Sequence, residues 1–284
     1  MENPLRIIWY NVRNLMLLCM LIFSLVVSYD FGLSAFIQIL IGFFIALILD
    51  FCINYLRFKS KEFPASGVIS GLIVANLFSQ GSYLIVGIAT ALAILSKQFI
   101  KYKGRHIFNP ATFGIAAIGV SGFLIAINAT VTWLPGFADL AFIRAPGLLI
   151  ILGFVILYRL KRWEIHLTYF ATTAVLLLIK GFAVHYQPDR IIEFVYQGIT
   201  EPAILFFVFF MVVEPITSPT NRKGRIIYSF IIATASFAFN LTNLLEYAPL
   251  FALIIGNALV LFIDNLTKKK IVTSEVSNQG GTAD

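Results

Sequence analysis

Cysteine and histidine are scarce in this sequence of 284 residues, which contains two cysteines and three histidines. Neither Cys19 nor Cys52 has another cysteine or a histidine at ligand spacing, so we expect no disulfide, zinc site or iron–sulfur cluster. No NAD-binding glycine fingerprint follows a predicted strand. These absences exclude a chain that oxidises NADH without partners.

Charged residues are also few, at 12% of the chain, while 59% of the residues are hydrophobic and the mean hydropathy is +0.89. This composition excludes a soluble enzyme. Apolar runs such as 33–56 and 247–266 approach the length of about 20 residues that a helix needs to cross a bilayer. The sequence therefore predicts an all-α polytopic membrane protein whose surroundings are the lipid bilayer.

The basic residues form short clusters between the apolar runs, which predicts an orientation and not a nucleic-acid partner. If every cluster is cytoplasmic, all but three of the 21 lysines and arginines lie on that side. The exceptions are Arg144, Lys180 and Arg190. We therefore expect a multi-pass protein of the cell inner (plasma) membrane with both termini cytoplasmic.

If the connections that carry basic clusters are cytoplasmic and the connections between them are external, the chain makes about ten passes. The first apolar run is then kept as a span and not removed as a signal peptide. The predicted passes are roughly 13–29, 33–56, 66–78, 82–98, 107–127, 145–160, 165–184, 199–219, 226–243 and 248–266. They form a single membrane domain, 1–267, followed by a polar cytoplasmic tail, 268–284, that we expect to be disordered. Five passes per half, about 13–127 and 145–266, require halves of inverted topology.

The third predicted pass, Ser66–Phe78, is too short to cross the membrane as a regular helix, since 13 residues span only about 20 Å. Interrupted spans of this kind indicate a binding site near the interface of two repeats. The third and eighth passes both open just after a Glu and at a Pro, Pro64 and Pro202.

Two polar segments combine Pro-x-Thr with Lys-Gly-Arg, at 103–112 and at 214–225. We expect them to converge near the cytoplasmic face. For Asn109 and Pro110 an ordinary role in helix capping is an equal alternative. Glu214 is the strongest functional candidate, because a carboxylate beside an apolar run requires a partner, here Arg222 or Arg225.

Other ionisable residues near the apolar runs have simpler explanations. Asp50 is expected to pair with Arg57, close to a basic cluster. His106 borders a basic loop and is expected to have only a boundary role.

Four stretches, Ser66–Leu72 (SGVISGL), Phe108–Gly114 (FNPATFG), Arg162–Leu167 (RWEIHL) and Glu214–Arg225 (EPITSPTNRKGR), resemble the NqrB/RnfD family. These are membrane subunits of the sodium-pumping NADH:quinone oxidoreductase and of the Rnf electron-transport complex. The resemblance implies a fold similar to urea and ammonium transporters. It also implies flavin-mediated electron transfer, coupled to Na⁺ or H⁺ movement, with other membrane and flavin or iron–sulfur subunits as partners.

On this resemblance the chain is a component of an oxidoreductase and not a complete enzyme. No catalytic residue and no metal ligand is assigned. The residues expected to bind a cofactor are Ser66, Ser70, Gly71, Asn109, Pro110, Thr112, Glu214, Pro215, Thr217 and Ser218.

The family usually attaches FMN covalently to a Thr in a Ser/Gly-x-Ala-Thr sequence, in a long external region between the fifth and sixth passes, and this chain lacks that sequence there. The corresponding region, about 128–145, contains Thr130 and Thr132 without it, and a later segment reads Gln197-Gly198-Ile199-Thr200. FMN or riboflavin is therefore expected to bind non-covalently. The alternatives are a cofactor-free ion or small-solute transporter of the same fold and a scaffold without a site.

Overall fold

A computed structural model describes residues 11–78, 83–125, 144–242 and 247–267. Nearly all of these residues are helical. The elements are α1 (Val12–Phe58), α2 (Ala65–Leu77), α3 (Tyr83–Phe99), β1 (Lys101–Tyr102), β2 (Arg105–His106), α4 (Pro110–Ile125), α5 (Arg144–Leu160), α6 (Trp163–Ala183), α7 (Pro188–Thr200), α8 (Pro202–Phe206) with the π-helix Phe207–Val212, α9 (Arg222–Phe239) and α10 (Ala248–Thr267).

The 47 residues of α1 contain a sharp break at Gly32, whose φ of 74° and ψ of −160° are not helical. A residue with a side chain rarely adopts this positive φ, so glycine permits the break. The structure therefore agrees with the predicted boundary between the first two passes.

Several helices have the length and apolarity of membrane spans. Among the described residues these are α1, α6 and α10. The pair formed by α7 and Pro202–Val212, which is bent by 43°, has the composition of a broken span or of a re-entrant loop. Large apolar side chains remain exposed along the helices, for example Leu25 at 64% and Phe262 at 61%. Exposed apolar faces of this extent match a hydrocarbon solvent, and the chain is an all-α membrane protein.

The helix α2 begins and ends within one residue of its predicted bounds and is buried at all but one position. It packs tightly on α1, because a Cβ atom on Gly71 would overlap the Gly42 carbonyl oxygen and the Ala46 side chain. Small residues at such an interface allow two helix backbones to approach closely. A short helix is thus enclosed by protein.

The predicted eighth pass, 199–219, is wrong as a single helix. Pro202 opens α8, because the preceding Glu201 is held away from the helical region, with ψ of 126°. The amphipathic helix α7 lies before this break. Helical structure ends again at Val212, and the backbone from 214 to 221 is irregular.

One end of the molecule, which we call the basic end, gathers the end of α1, the end of α3, the β1–β2 hairpin and the starts of α6 and α9. Arg57 Nη1 donates to the Gln98 carbonyl oxygen over 3.0 Å, and Arg225 Nε donates to Glu164 Oε1 over 2.6 Å. The structure therefore brings together basic clusters that are far apart in sequence.

Candidate functional site

The first polar segment places Asn109 at the start of α4. Asn109 Oδ1 accepts from the Thr112 backbone N–H over 3.0 Å and from the Thr112 hydroxyl over 3.1 Å. Pro110 follows as the first helical residue, where its missing N–H costs nothing. The capping interpretation is confirmed, and it leaves Asn109 Nδ2 free to reach across to another element.

The second polar segment follows the π-helix and carries Glu214. The Ser218 hydroxyl donates to the Glu214 carbonyl oxygen over 2.6 Å, and the Thr217 hydroxyl donates to Glu214 Oε2 over 3.1 Å. These bonds fold the irregular backbone around the carboxylate, whose side chain is 15% exposed. A π-helix beside such a segment is a frequent feature of functional sites.

The two segments meet at the Glu214 carboxylate, as the sequence predicted. Asn109 Nδ2 donates to Oε2 over 2.8 Å, and His106 Nε2 lies 3.2 Å from Oε1. Three side chains from two segments more than a hundred residues apart therefore hold one partly buried acid. We call Glu214 with His106, Asn109 and Thr217 the Glu214 cluster.

The predicted partners of Glu214 are wrong, and so is the boundary role of His106. Arg225 is turned towards α6, where it forms an ion pair with Glu164, and Arg222 is exposed. The β1–β2 hairpin folds His106 back over the carboxylate. Sequence spacing does not indicate this contact, because the hairpin turns at Lys103-Gly104 and has only two residues in each strand.

Asn257 connects the cluster to the last two helices. Its Oδ1 accepts from the Asn109 backbone N–H, and its Nδ2 donates to the Thr217 carbonyl oxygen and to the Tyr228 hydroxyl, each over 2.9 Å. The side chain is 1% exposed. Sequence reasoning missed this residue, although a lone amide within an apolar span was a usable signal.

Arg162 adds a positive charge close to the cluster. Its Nη1 donates to the Ser218 hydroxyl over 2.5 Å. Burial, and next the Arg225 guanidinium, lower the pKa of Arg162. The irregular segment is thus fixed from the basic end as well as from α10.

A cavity of about 380 Å³ opens beside the cluster at the basic end. Lys103 and Arg105 line it from the hairpin, and His106, Thr217 and Asn257 link it to the Glu214 cluster. Apolar walls come from Ile107, Ile216, Val260 and Leu261. This combination of apolar walls and a few convergent polar groups is typical of a ligand pocket.

The expected cofactor-binding residues separate into two groups in the structure. Asn109, Thr112, Glu214, Thr217 and Ser218 are joined by hydrogen bonds, and Pro110 and Pro215 adjoin them. Ser66, Ser70 and Gly71 lie on α2, where the Ser70 hydroxyl donates to the Ser66 carbonyl oxygen. Gly71 faces α1, so its small size has a packing reason.

Asp50 forms a separate buried site between α1 and α3. It pairs with Lys97, whose Nζ lies 2.6 Å from Oδ2, and accepts from Gln98 Nε2 over 2.5 Å. The expected pair with Arg57 is wrong, because Arg57 donates to a backbone carbonyl instead. Within the described ranges, no group of three His, Cys, Asp or Glu side chains could hold a metal ion.

The two regions where the family would carry covalent FMN, and where this sequence lacks the attachment motif, fall partly outside the described residues, which exclude 126–143. Thr200 ends α7, and its hydroxyl donates to the Tyr196 carbonyl oxygen over 2.8 Å. The tail 268–284 also lies outside the described residues.

Comparison with known proteins gives one family and several distant relatives. The model of the NQR2, RnfD, RnfE family matches residues 125–273. A relative from Methanosarcina acetivorans, named as a subunit of an ion-translocating oxidoreductase complex, is 24% identical and is covered over 91% of both chains. Proteins of the same name from Actinobacillus pleuropneumoniae and Haemophilus ducreyi are 24% and 20% identical, with 87% and 85% of this chain covered and 90% and 88% of theirs.

Proposed function

The chain belongs to the NQR2, RnfD, RnfE family, and we propose on that basis that it is the RnfD-type membrane subunit of an ion-translocating electron-transport complex. The structural observation that carries the ion-transport part of this proposal is the Glu214 cluster, a partly buried carboxylate on irregular backbone beside a cavity. An ionisable group in such surroundings is a candidate for an ion path. The ion would be Na⁺ or H⁺.

The proposed architecture has ten passes in two inverted halves, similar to urea and ammonium transporters. Its support is that α2 and Pro202–Val212 are both short and largely buried, and that each begins at or directly after a Pro that follows a Glu by one or two residues, in the third and eighth places. Paired interrupted helices of this kind surround the binding sites of many transporters. The cluster follows directly on the second of them.

The proposed location is the inner (plasma) membrane, with both termini and the basic end in the cytoplasm. Its support is the concentration of basic residues at one end of the described helices, as the positive-inside rule requires. The cavity would then open towards the cytoplasm.

We propose that a non-covalent flavin binds in this cavity. Apolar side chains such as Ile216 and Val260 provide surface for a planar ring, and Thr217 and Asn257 provide polar groups for its edge. Lys103 and Arg105 would hold the phosphate if the flavin is FMN. A bound flavin would supply the redox chemistry, while this chain would supply position and charge.

Electrons must enter through other subunits in this proposal. The sequence has no NAD-binding fingerprint and only two cysteines, so flavin and iron–sulfur subunits are the expected partners. The chain would contribute the membrane part of the complex.

The test measures ion uptake by proteoliposomes containing the purified complex, with and without an electron donor. Glu214→Gln removes the charge and should lower donor-driven uptake about tenfold or more, since a charge-assisted contact contributes about 1.5–3 kcal/mol. Glu214→Asp should retain most of it. Glu193→Gln, on exposed α7, is the matched control and should leave uptake unchanged.

Uptake that proceeds equally without a donor, from colourless purified protein, would instead support the cofactor-free transporter. Unchanged uptake in Glu214→Gln would contradict the role of the cluster. Co-purification of the other subunits with each variant shows that assembly is intact.

A further inference from the structure

A second surface at the basic end combines cations with exposed aromatic rings. It consists of Arg57, Phe58 and Lys59 at the end of α1, Phe99 at the end of α3 and Lys101 in β1, and we call it the basic–aromatic surface. Phe58 is 61% exposed and Phe99 is 64% exposed. Lys and Arg beside exposed Phe and Leu side chains are typical of surfaces that lie where a membrane meets water.

The cations of this surface are held against rings and not against carboxylates. The Arg57 guanidinium lies 5.5 Å from the centroid of Phe58 and 5.4 Å from that of Phe99. Lys101 Nζ lies 5.9 Å from the centroid of Phe58. Aromatic faces orient a cation but leave its charge available to an anion.

The surface has more positive charge than its neighbours neutralise. Asp50 is the acidic group that acts on Lys101, and it already pairs with Lys97. Burial, and next repulsion from Arg57 and Lys97, lower the pKa of Lys101. An added anion would relieve this repulsion.

We propose that the basic–aromatic surface binds the headgroup of an anionic phospholipid. The phosphate would contact Arg57, Lys59 and Lys101, and an acyl chain would lie along the exposed rings and Leu56, which is 70% exposed on α1. A phospholipid combines an anionic headgroup with apolar acyl chains, and clustered cations at the membrane boundary attract anionic lipids. This proposal is independent of flavin binding and of the Glu214 cluster.

The test follows thermal unfolding of the full-length chain in detergent with added phosphatidylglycerol, phosphatidylcholine or inorganic phosphate. Phosphatidylglycerol should stabilise the wild-type chain, and the other two should not. The double variant Lys59→Gln/Lys101→Gln should bind phosphatidylglycerol more weakly. We expect its apparent affinity, taken from the lipid concentration needed for stabilisation, to fall about fivefold for each cation removed. Lys101→Arg keeps the positive charge, so it should retain most of the lipid response that Lys101→Gln loses.

Lys223→Gln removes an exposed cation elsewhere at the basic end and serves as the matched control. If the double variant does not fold, Lys101→Gln alone provides the comparison, with a loss of about fivefold expected. The proposal is overturned by equal stabilisation from phosphatidylcholine, by equal stabilisation from inorganic phosphate, or by unchanged lipid response in the variants. Cross-linking of Lys101 to an acidic segment of a partner subunit in the purified complex would also overturn it, in favour of a protein contact.

Discussion

Asn109 shows that a capping role and a role at a site are compatible in a single residue. Its Oδ1 accepts from the first turn of α4, and its Nδ2 donates to Glu214 Oε2. The side-chain amide therefore connects the helix start to the acid. Sequence reasoning treated the two roles as alternatives because it considers each residue only with its near neighbours.

Asn257 is expected to be the residue whose loss most weakens the polar network. Asn257→Ala leaves the Asn109 N–H, the Thr217 carbonyl oxygen and the Tyr228 hydroxyl without this partner, and each unsatisfied buried group costs about 1–3 kcal/mol. We expect a loss of about 3 kcal/mol or more in the free energy of unfolding, seen as a lower melting temperature in detergent.

Gln197→Ala, on the exposed face of α7, removes a single bond to Glu193 and should change stability by less than about 0.5 kcal/mol. Equal melting temperatures for the two variants would show that the Asn257 network contributes nothing.

The Asp50–Lys97 pair should show strong coupling in a double-mutant cycle. Lys97→Met leaves a carboxylate that is 1% exposed without its cation, at a cost of about 3–5 kcal/mol. Adding Asp50→Asn should recover most of this loss, because the amide needs no counter-charge. Additive effects in denaturation measurements would indicate that the two groups act independently.

At the scale of elements, the close contact of α1 and α2 depends on glycine. Gly71→Ala would drive a methyl group into the Gly42 carbonyl and should destabilise the protein by about 1–3 kcal/mol. Gly147→Ala, in α5, is the matched control: an added Cβ there meets nothing within 4 Å, so stability should be unchanged or slightly raised. The melting temperatures of both variants in detergent test this prediction: only Gly71→Ala should lower the melting temperature, and equal values would contradict it.

The bounds of α2 were predictable because Pro64 precedes it and a polar stretch follows it. Pro202 was recognised as the opening of the eighth pass, but the end of its helix at Val212, well before residue 219, was not, because mean hydropathy does not report backbone geometry. The amphipathic α7 was missed for a related reason, because its charges resemble those of a loop. Apolar runs thus predicted where the chain lies in lipid better than where its helices begin and end.

The site was predictable only in part. Proline and Thr in both segments marked Asn109 and Glu214, and their contact is confirmed. His106 and Asn257 were not identified, because their roles depend on a hairpin and on a helix that approaches from the end of the chain. Contacts between residues that are far apart in the sequence depend on the three-dimensional fold, and local sequence patterns do not reveal them.

At the scale of the whole molecule, the orientation can be checked by labelling. In a chain with Cys19→Ala and Cys52→Ser, a membrane-impermeant maleimide should label Asp189→Cys in intact cells, because α7 is expected on the outer side. Lys223→Cys should be labelled only after the membrane is permeabilised. Both positions are exposed, so access depends on the side of the membrane. The opposite pattern would reverse the proposed orientation.

The enclosure of α2 has a consequence for how the protein is made. A helix of 13 residues reaches about 20 Å, less than the roughly 30 Å of hydrocarbon. During synthesis α2 is therefore not stable in the lipid by itself until α1 and a later helix surround it. Membrane insertion of this chain should therefore proceed in groups of helices, with the insertion machinery shielding α2 until its neighbours arrive.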